Sequence, residues 1–460
     1  MHLPRLVVSR TAPTASRKMI VPMAFACTLK STRFLAQMKT GAPASAAPRR
    51  GPASAAVAVR RTQPRPSQNR PGPAEAGPRV RYRRVAWHKS PRRHRTGARS
   101  NAMTVITEAA VLAALRTVQE PELGGDLVTR NMVRDIAIDG ADVAFTIELT
   151  TPACPLKEQI ETEVRAALAP VGVTAVGITW GATVRRAAPR SPELLVPGVK
   201  NIIAVASGKG GVGKSTISVN LAVALARAGA SVGLLDADIT GPNIPMMLGL
   251  EGQPTSSENN KIVPLERHGV KAISIQFFVP EGQPIVWRGP LIGGAISQFL
   301  RDVEWGDLDY LVVDLPPGTS DAQLTLAQAV PISGTVLVTT PQDVALSDVG
   351  RALSMLRRLN VPVIGIVENM SAFVCPHCGD VTEIFGHGGG ERFAQQHGIE
   401  FLGKIPLDVT VRQGGDAGVP AVAQREPGAA AQALEAMAGL VAARMSVRAE
   451  TSQTPILSIT

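Results

Sequence analysis

From residue 199 onward, short and nearly continuous apolar runs alternate with longer stretches in which apolar residues return every three or four positions. The runs are 202–207, 231–236, 271–275, 310–314, 335–340, 363–367 and 401–405. Runs of this length without polar alternation predict strands buried on both faces, and the helical periods between them predict a parallel sheet covered by helices on both sides. The first helical stretch is 217–228 and the last is 429–444. The last lacks the lysine-rich polar face of a helix that lies on a membrane, so packing against its own domain is expected. Residues 449–460 read as a frayed tail.

Upstream lies a second, shorter pattern, over 103–186. A helix is predicted over 108–118, with Val111, Leu112, Leu115 and Val118 on one face. Strands are predicted over 133–138 and 143–149, turning at Asp139-Gly140. The segment Thr150-Thr151-Pro152-Ala153-Cys154-Pro155-Leu156 then leads into a helix over 157–168 and a strand over 173–180. Residues 187–198 hold Pro189, Pro192 and Pro197 and read as a linker. The expected fold is therefore α/β: a mostly parallel, doubly wound domain over 199–448, preceded by a small α/β domain.

Residues 1–102 show no sustained period and are rich in Arg, Pro and Ala, so a disordered basic extension is expected. Charge divides at the same point. The chain of 460 residues has a formal net charge of +11, but residues 1–102 hold 22 Lys/Arg and a single acid, Glu75. Residues 103–460 hold 26 Lys/Arg and 36 acids. The folded part is acidic, which argues against nucleic acid as a partner. The extension has three readings: an organelle transit peptide, a weak signal segment, or a stretch upstream of a true start at Met103. Four cysteines, Cys27, Cys154, Cys375 and Cys378, are too few for a disulfide framework, and no apolar run reaches the ~18 residues of a membrane span. A reduced compartment containing ATP is expected, the cytoplasm or, if 1–102 is a genuine transit peptide, an organelle.

The chemistry centres on Gly208-Lys209-Gly210-Gly211-Val212-Gly213-Lys214-Ser215-Thr216, which spells out G-x-x-x-x-G-K-S between a predicted strand and a predicted helix. Glycines let successive backbone N–H groups converge on a phosphate, and the helix adds its positive end. Lys214 is placed to reach the β- and γ-phosphates of ATP and Ser215 to bind Mg²⁺. Asp236 and Asp238 end the next strand, and Asp314 ends the hydrophobic run Y-L-V-V-D before L-P-P-G-T-S-D. Carboxylates there can orient an attacking water or hold the Mg²⁺ shell; each could also simply cap a helix.

Cys375-Pro376-His377-Cys378-Gly379 places two thiols within reach of one metal. A zinc site or a four-iron cluster wants four ligands, and one chain offers two, with His377 or His387 as possible additions. A two-fold dimer supplies two plus two at its axis. A bridging cluster, a bridging zinc and a bare structural turn all remain open on spacing alone. Cys154, preceding a predicted helix, reads either as a thiolate lowered by the helix N-terminus and engaged in cluster handling or as a buried structural cysteine.

The loop with its second lysine, K-G-G-V-G-K-S-T, resembles the deviant Walker motif of the MinD/nitrogenase-iron-protein class of ATPases. The small domain, with Q-E-P-E-L and T-P-A-C-P, resembles a module of iron–sulfur assembly factors. Together with D-A-D-I-T-G-P-N-I-P, W-R-G-P at 287–290, D-L-P-P-G-T-S-D and C-P-H-C-G, residues 103–445 resemble the Mrp/ApbC group of iron–sulfur cluster carriers. The resemblance implies a P-loop ATPase that works as a homodimer and hands a 4Fe-4S cluster from scaffold proteins to apo-proteins. It implies that Lys209 crosses the interface to the partner's nucleotide, that Asp238 positions water, that Asp314 meets Mg²⁺ and that Gly318 senses the γ-phosphate. Asn369 would bond adenine, with Pro406 and Asp408 lining the base pocket, and Cys375 and Cys378 would hold the cluster. The rival is a MinD/ParA-like positioning ATPase whose C-x-x-C holds a structural zinc.

Overall fold

The computed structural model describes residues 105–187, 196–239, 241–278, 289–319 and 321–453. The expected extension 1–102, most of the expected linker, Trp287 and Arg288 of W-R-G-P and the last seven residues lie outside the described residues. Among the described residues, no helix is long and apolar enough to cross a membrane.

The N-terminal layer is built on three strands, β1 (Val133–Asp139), β2 (Asp142–Leu149) and β3 (Ala175–Ala182), with β1 antiparallel and β3 parallel to β2. Helices α1 (Glu108–Leu115) and α2 (Lys157–Leu168) close one face. Alternation decides which face: Val143, Phe145, Ile147 and Leu149 of β2 are buried against Val111, Leu115, Ile160, Val164 and Leu168. α1 is shorter than its apolar period predicts and begins on a Thr107 side chain that accepts from the Ala110 N–H.

The larger sheet has nine strands. It contains β4 (Val199–Ser207), β5 (Val232–Asp236), β8 (Leu265–Arg267), β9 (Val270–Ser274), β10 (Leu308–Asp314), β11 (Gly334–Thr339), β12 (Val363–Val374), β13 (Val381–Thr382) and β14 (Phe401–Leu407). Short strands β6 (Thr255–Ser256) and β7 (Ile262–Val263) form a separate ribbon. The order is β13-β12-β11-β4-β10-β5-β9-β8, with β14 also on β12. All pairings are parallel except the two ends, β13 and β8, which are antiparallel. Successive residues of β4 enter opposite cores: Ile203 and Val205 face one helical layer, Ile202, Ala204 and Ala206 the other. That two-sided burial is the reason the strands read as unbroken apolar runs.

The first layer holds α3 (Lys214–Arg227) and α10 (Ala429–Gln453), the second α5 (Gly289–Asp302), α6 (Asp321–Ala329) and α7 (Asp343–Arg358). α10 continues nine residues past the predicted end at 444, because Met445 and Ala449 remain buried and Glu450 pairs with Arg185 at 2.6 Å. Of the expected frayed tail 449–460, residues 449–453 are helical and the rest lies outside the described residues. α10 also carries the N-terminal layer: Ser446 donates to the Thr150 carbonyl at 3.3 Å, and fully buried Tyr310 of β10 donates to Thr151 Oγ1 at 3.2 Å. Burial of Tyr310 pushes its phenol up to about 12.

Candidate functional site

The strands' C-terminal ends converge where β4 runs into α3. Gly211 and Gly213 take φ of +79° and +84°, which a side chain would disfavour, and the helix begins directly at Lys214. Gly208 is held so closely that a Cβ would collide with the backbone at Asp348–Val349 of α7. The loop is thereby curled against the second layer, with its N–H groups and the α3 N-terminus facing one cleft of about 620 Å³.

At the floor of the cleft lies a charged cluster. Lys214, 6% exposed, donates to Asp314 Oδ2 at 2.8 Å and stands 3.6 Å from Asp238 Oδ2. Ser215 Oγ donates to the same Asp314 oxygen at 2.6 Å, and Ser218 Oγ to Oδ1 at 2.6 Å. Asp314, 1% exposed at its side chain, is thus fully satisfied by one cation and two hydroxyls. A serine hydroxyl and a carboxylate at this separation form an oxygen donor pair suited to Mg²⁺. Ser218 was not singled out by motif reasoning, though its position four residues after Lys214 puts it on the same helix face.

Asp236 is fully buried behind this cluster, accepting from Ser274 Oγ at 2.9 Å and from the Asp238 N–H at 3.2 Å. Burial, reinforced by the neighbouring Asp314, pushes its carboxyl up to about 8. Its side chain faces Ser274, so Asp238, beside Lys214 in the cleft, is the better placed of the pair to meet a nucleotide. In an unfolded chain Asp236 would titrate near about 4, so between pH ~4 and ~8 the folded state binds a proton that the unfolded state releases. Stability from this group is present below pH ~4 and is lost as pH rises towards 8. Asp236→Asn is expected to flatten the fall in unfolding free energy between pH 5 and 8, followed by urea titration without nucleotide; equal slopes in the two proteins would refute the assignment.

The remaining cleft residues sort by contact. Lys209 lines the mouth, half-buried, and among the described residues its ammonium makes no ion pair. Gly210 and Thr216 also line it, and Val212 is buried beneath the loop. Gly318, φ +88°, donates its N–H to the Ser207 carbonyl at 3.0 Å beside the loop. Pro406, Leu407 and Asp408 form one wall of the far end. Asp408 is the N-cap of α9 (Val409–Ala417), accepting from the Thr410 N–H at 2.8 Å. Met246 and Met247 on α4 (Ile244–Leu248), unforeseen from motifs, also line the cleft.

Asn369 lines the cleft too, but its amide is committed in part to the protein: Nδ2 donates to the Val212 carbonyl at 2.9 Å. Nor does the strand end near residue 367, where the apolar run does. β12 continues to Val374, past Met370 at φ +56° and a register shift against β14.

That continuation delivers the cysteines. β12 and β13 form a hairpin whose loop is closed by two hydrogen bonds, Cys375 N–H to Asp380 O and Gly379 N–H to Cys375 O, both 2.9 Å. N–H groups of Cys378 and His377, and then the Cys378 thiol, hold the Cys375 thiol below its usual range. Cys378 is exposed, as are the flanking Val374, Val381 and Ile384. Among the described residues no group of three or more His, Cys, Asp and Glu is placed to hold a metal ion, and His387 pairs with Glu383 at 2.6 Å. Among the described residues, then, the site consists of two thiols.

Cys154 does not join them. It packs half-buried on the small-domain core, and of its two readings the structural cysteine is the one that this placement favours, since burial pushes the thiol up to about 11. Burial likewise pushes Glu122, which acts on this thiol, up to about 7.

Residues 198–442 match the family model described as NUBPL iron-transfer P-loop NTPase, and residues 108–178 match the model described as iron-sulfur cluster assembly protein. An iron-sulfur cluster carrier protein of Deinococcus radiodurans is 53% identical over 342 residues, 74% of this chain and 96% of the relative. One from Synechocystis is 49% identical over 351 residues, 75% of this chain and 99% of the relative. Among solved structures, a nucleotide-binding protein from Archaeoglobus fulgidus in complex with ADP is 44% identical, with a TM-score of 0.43, over 48% of this chain and 87% of that one.

Proposed function

The chain belongs to the iron-transfer P-loop NTPase family of iron–sulfur cluster carriers, and from that premise we propose that it is an ATP-hydrolysing carrier that holds a 4Fe-4S cluster between two protomers and delivers it to apo-proteins. The observation that supports the reading is the half-complete thiol site: Cys375 and Cys378 sit together on a hairpin, and among the described residues no third His, Cys, Asp or Glu is placed with them to hold a metal. Four thiolates are the usual complement of a four-iron cluster, and a two-fold axis through the hairpin supplies them. Exposed Val374, Val381 and Ile384 give that contact an apolar rim.

Nucleotide chemistry falls to the other cleft. The N–H groups of 210–216 receive the phosphates, and Lys214 turns from Asp314 to the β- and γ-phosphates. Mg²⁺, held by Ser215 and by Asp314 through water, would neutralise phosphate charge. Asp238 orients the attacking water, and Lys209 reaches the nucleotide of the second protomer. Asn369, Pro406 and Asp408 border the base, together with Met246 and Met247 of the same cleft. The module over 103–186 is docked on α10 and serves as an adaptor for scaffold or client proteins. Cys154 is assigned to its packing rather than to cluster handling.

The test is transfer: the loaded protein is mixed with an apo four-iron enzyme, and recovery of that enzyme's activity is followed with and without MgATP. Recovery that depends on loaded carrier and changes with MgATP is expected. Recovery no faster than with free iron and sulfide would contradict the reading.

A further inference from the structure

Residues 368–370 link the two sites. Asn369 faces the nucleotide loop, where its contact is so close that a Cβ on Gly213 would fall 2.2 Å from Nδ2. Glu368, the preceding residue, faces the opposite layer and is 1% exposed. Its Oε2 accepts from the Gly390 N–H at 2.7 Å, in the first turn of α8 (Gly389–His397). Its Oε1 is buried with no hydrogen-bond partner among the described residues. A half-satisfied buried carboxyl group is costly and calls for a reason.

The chain path supplies one. Everything between Glu368 and Gly390 is the excursion that carries Cys375 and Cys378. β12 is irregular at Met370, at φ +56°, runs on to Val374, and the return limb rejoins the body at Gly389, where a Cβ would collide with the Pro341 carbonyl. The Glu368–Gly390 bond therefore closes the base of a loop whose tip holds the thiols. The next residue along β12 fastens that base to the Val212 carbonyl. On the nucleotide and cargo roles proposed above, we infer that Glu368 is a positioning residue. It clasps both ends of the cysteine excursion to the nucleotide loop, so that a displacement at Val212–Gly213 reaches both ends together. Without the clasp the strand end could follow the loop while the return limb stayed behind.

The experiment uses the full chain, loaded anaerobically with iron and sulfide, and measures iron release to a ferrous chelator with and without MgATP. The quantity read is the ratio of the two rates. Glu368→Ala is expected to keep parental iron content and bring the ratio at least threefold closer to one. Glu368→Gln, whose amide oxygen can still accept from Gly390, is expected to stay within twofold of the parent. A parental ratio in Glu368→Ala overturns the clasp alone. A parent whose own rate ignores MgATP overturns both the clasp and the nucleotide–cargo link beneath it. Should Glu368→Ala fail to fold, Glu368→Met decides, since it keeps the bulk of the side chain but cannot accept from the Gly390 N–H. A ratio moved towards one supports the clasp, and an unchanged ratio overturns it.

Discussion

Lys214→Ala is expected to lower ATP hydrolysis by on the order of 100-fold or more, the scale on which one preorganised charge at a developing anion acts. The same change removes the cation from Asp314, which is buried and bonded to Lys214 at 2.8 Å. Breaking one side of a buried pair costs about 3–5 kcal/mol when nothing else compensates. Here Ser215 and Ser218 still donate to both carboxylate oxygens, so the loss should lie at the lower end. The two effects separate experimentally. Urea unfolding gives the stability term, and a steady-state phosphate assay well below the unfolding midpoint gives the catalytic one. A folded Lys214→Ala protein hydrolysing ATP within tenfold of the parent would remove Lys214 from the role assigned to it.

The second large effect concerns cargo. Cys375→Ser with Cys378→Ser is expected to reduce bound iron and sulfide after reconstitution to background. The melting temperature should shift by no more than ~2 °C, because Cys378 is exposed, Cys375 is only half-buried, and substitutions away from the packed core rarely matter more. The structural reason is local. The hairpin is closed by backbone bonds between Cys375 and Asp380 and between Gly379 and Cys375, and neither involves sulfur. Strand pairing of Val374 with Val381 is also independent of the thiols. Iron retained by the double variant would move the cargo site elsewhere in the chain.

What the sequence made legible, and what it did not, follows from the range of the interactions. The seven central strands were readable because burial on both faces leaves each as a local apolar run, and the phosphate loop because its chemistry is contiguous. Edge strands β8 and β13 were not, since two or three mostly exposed residues carry no period and pairing alone defines them. The extension of β12 beyond Asn369 was hidden by polar Asn369 and Ser371, both buried by partners distant in sequence: Val212 for one and Ile405 for the other. Cys154 was ambiguous for a similar reason, with two readings open. Its place before α2 suggested a lowered thiol, whereas packing on the small-domain core raises it. The Glu368–Gly390 bond spans a 21-residue excursion that no local pattern could connect.

The central claim is that two protomers share one cluster through four thiols. Native mass spectrometry of the anaerobically reconstituted full chain, beside chemical iron and sulfide determination, reads it most directly. The expected result is a dimer carrying one four-iron, four-sulfide unit, about two irons and two sulfides per protomer, absent from the Cys375→Ser/Cys378→Ser protein. A dimer that instead holds one zinc and no sulfide, or a monomer that retains a complete cluster, would contradict the account.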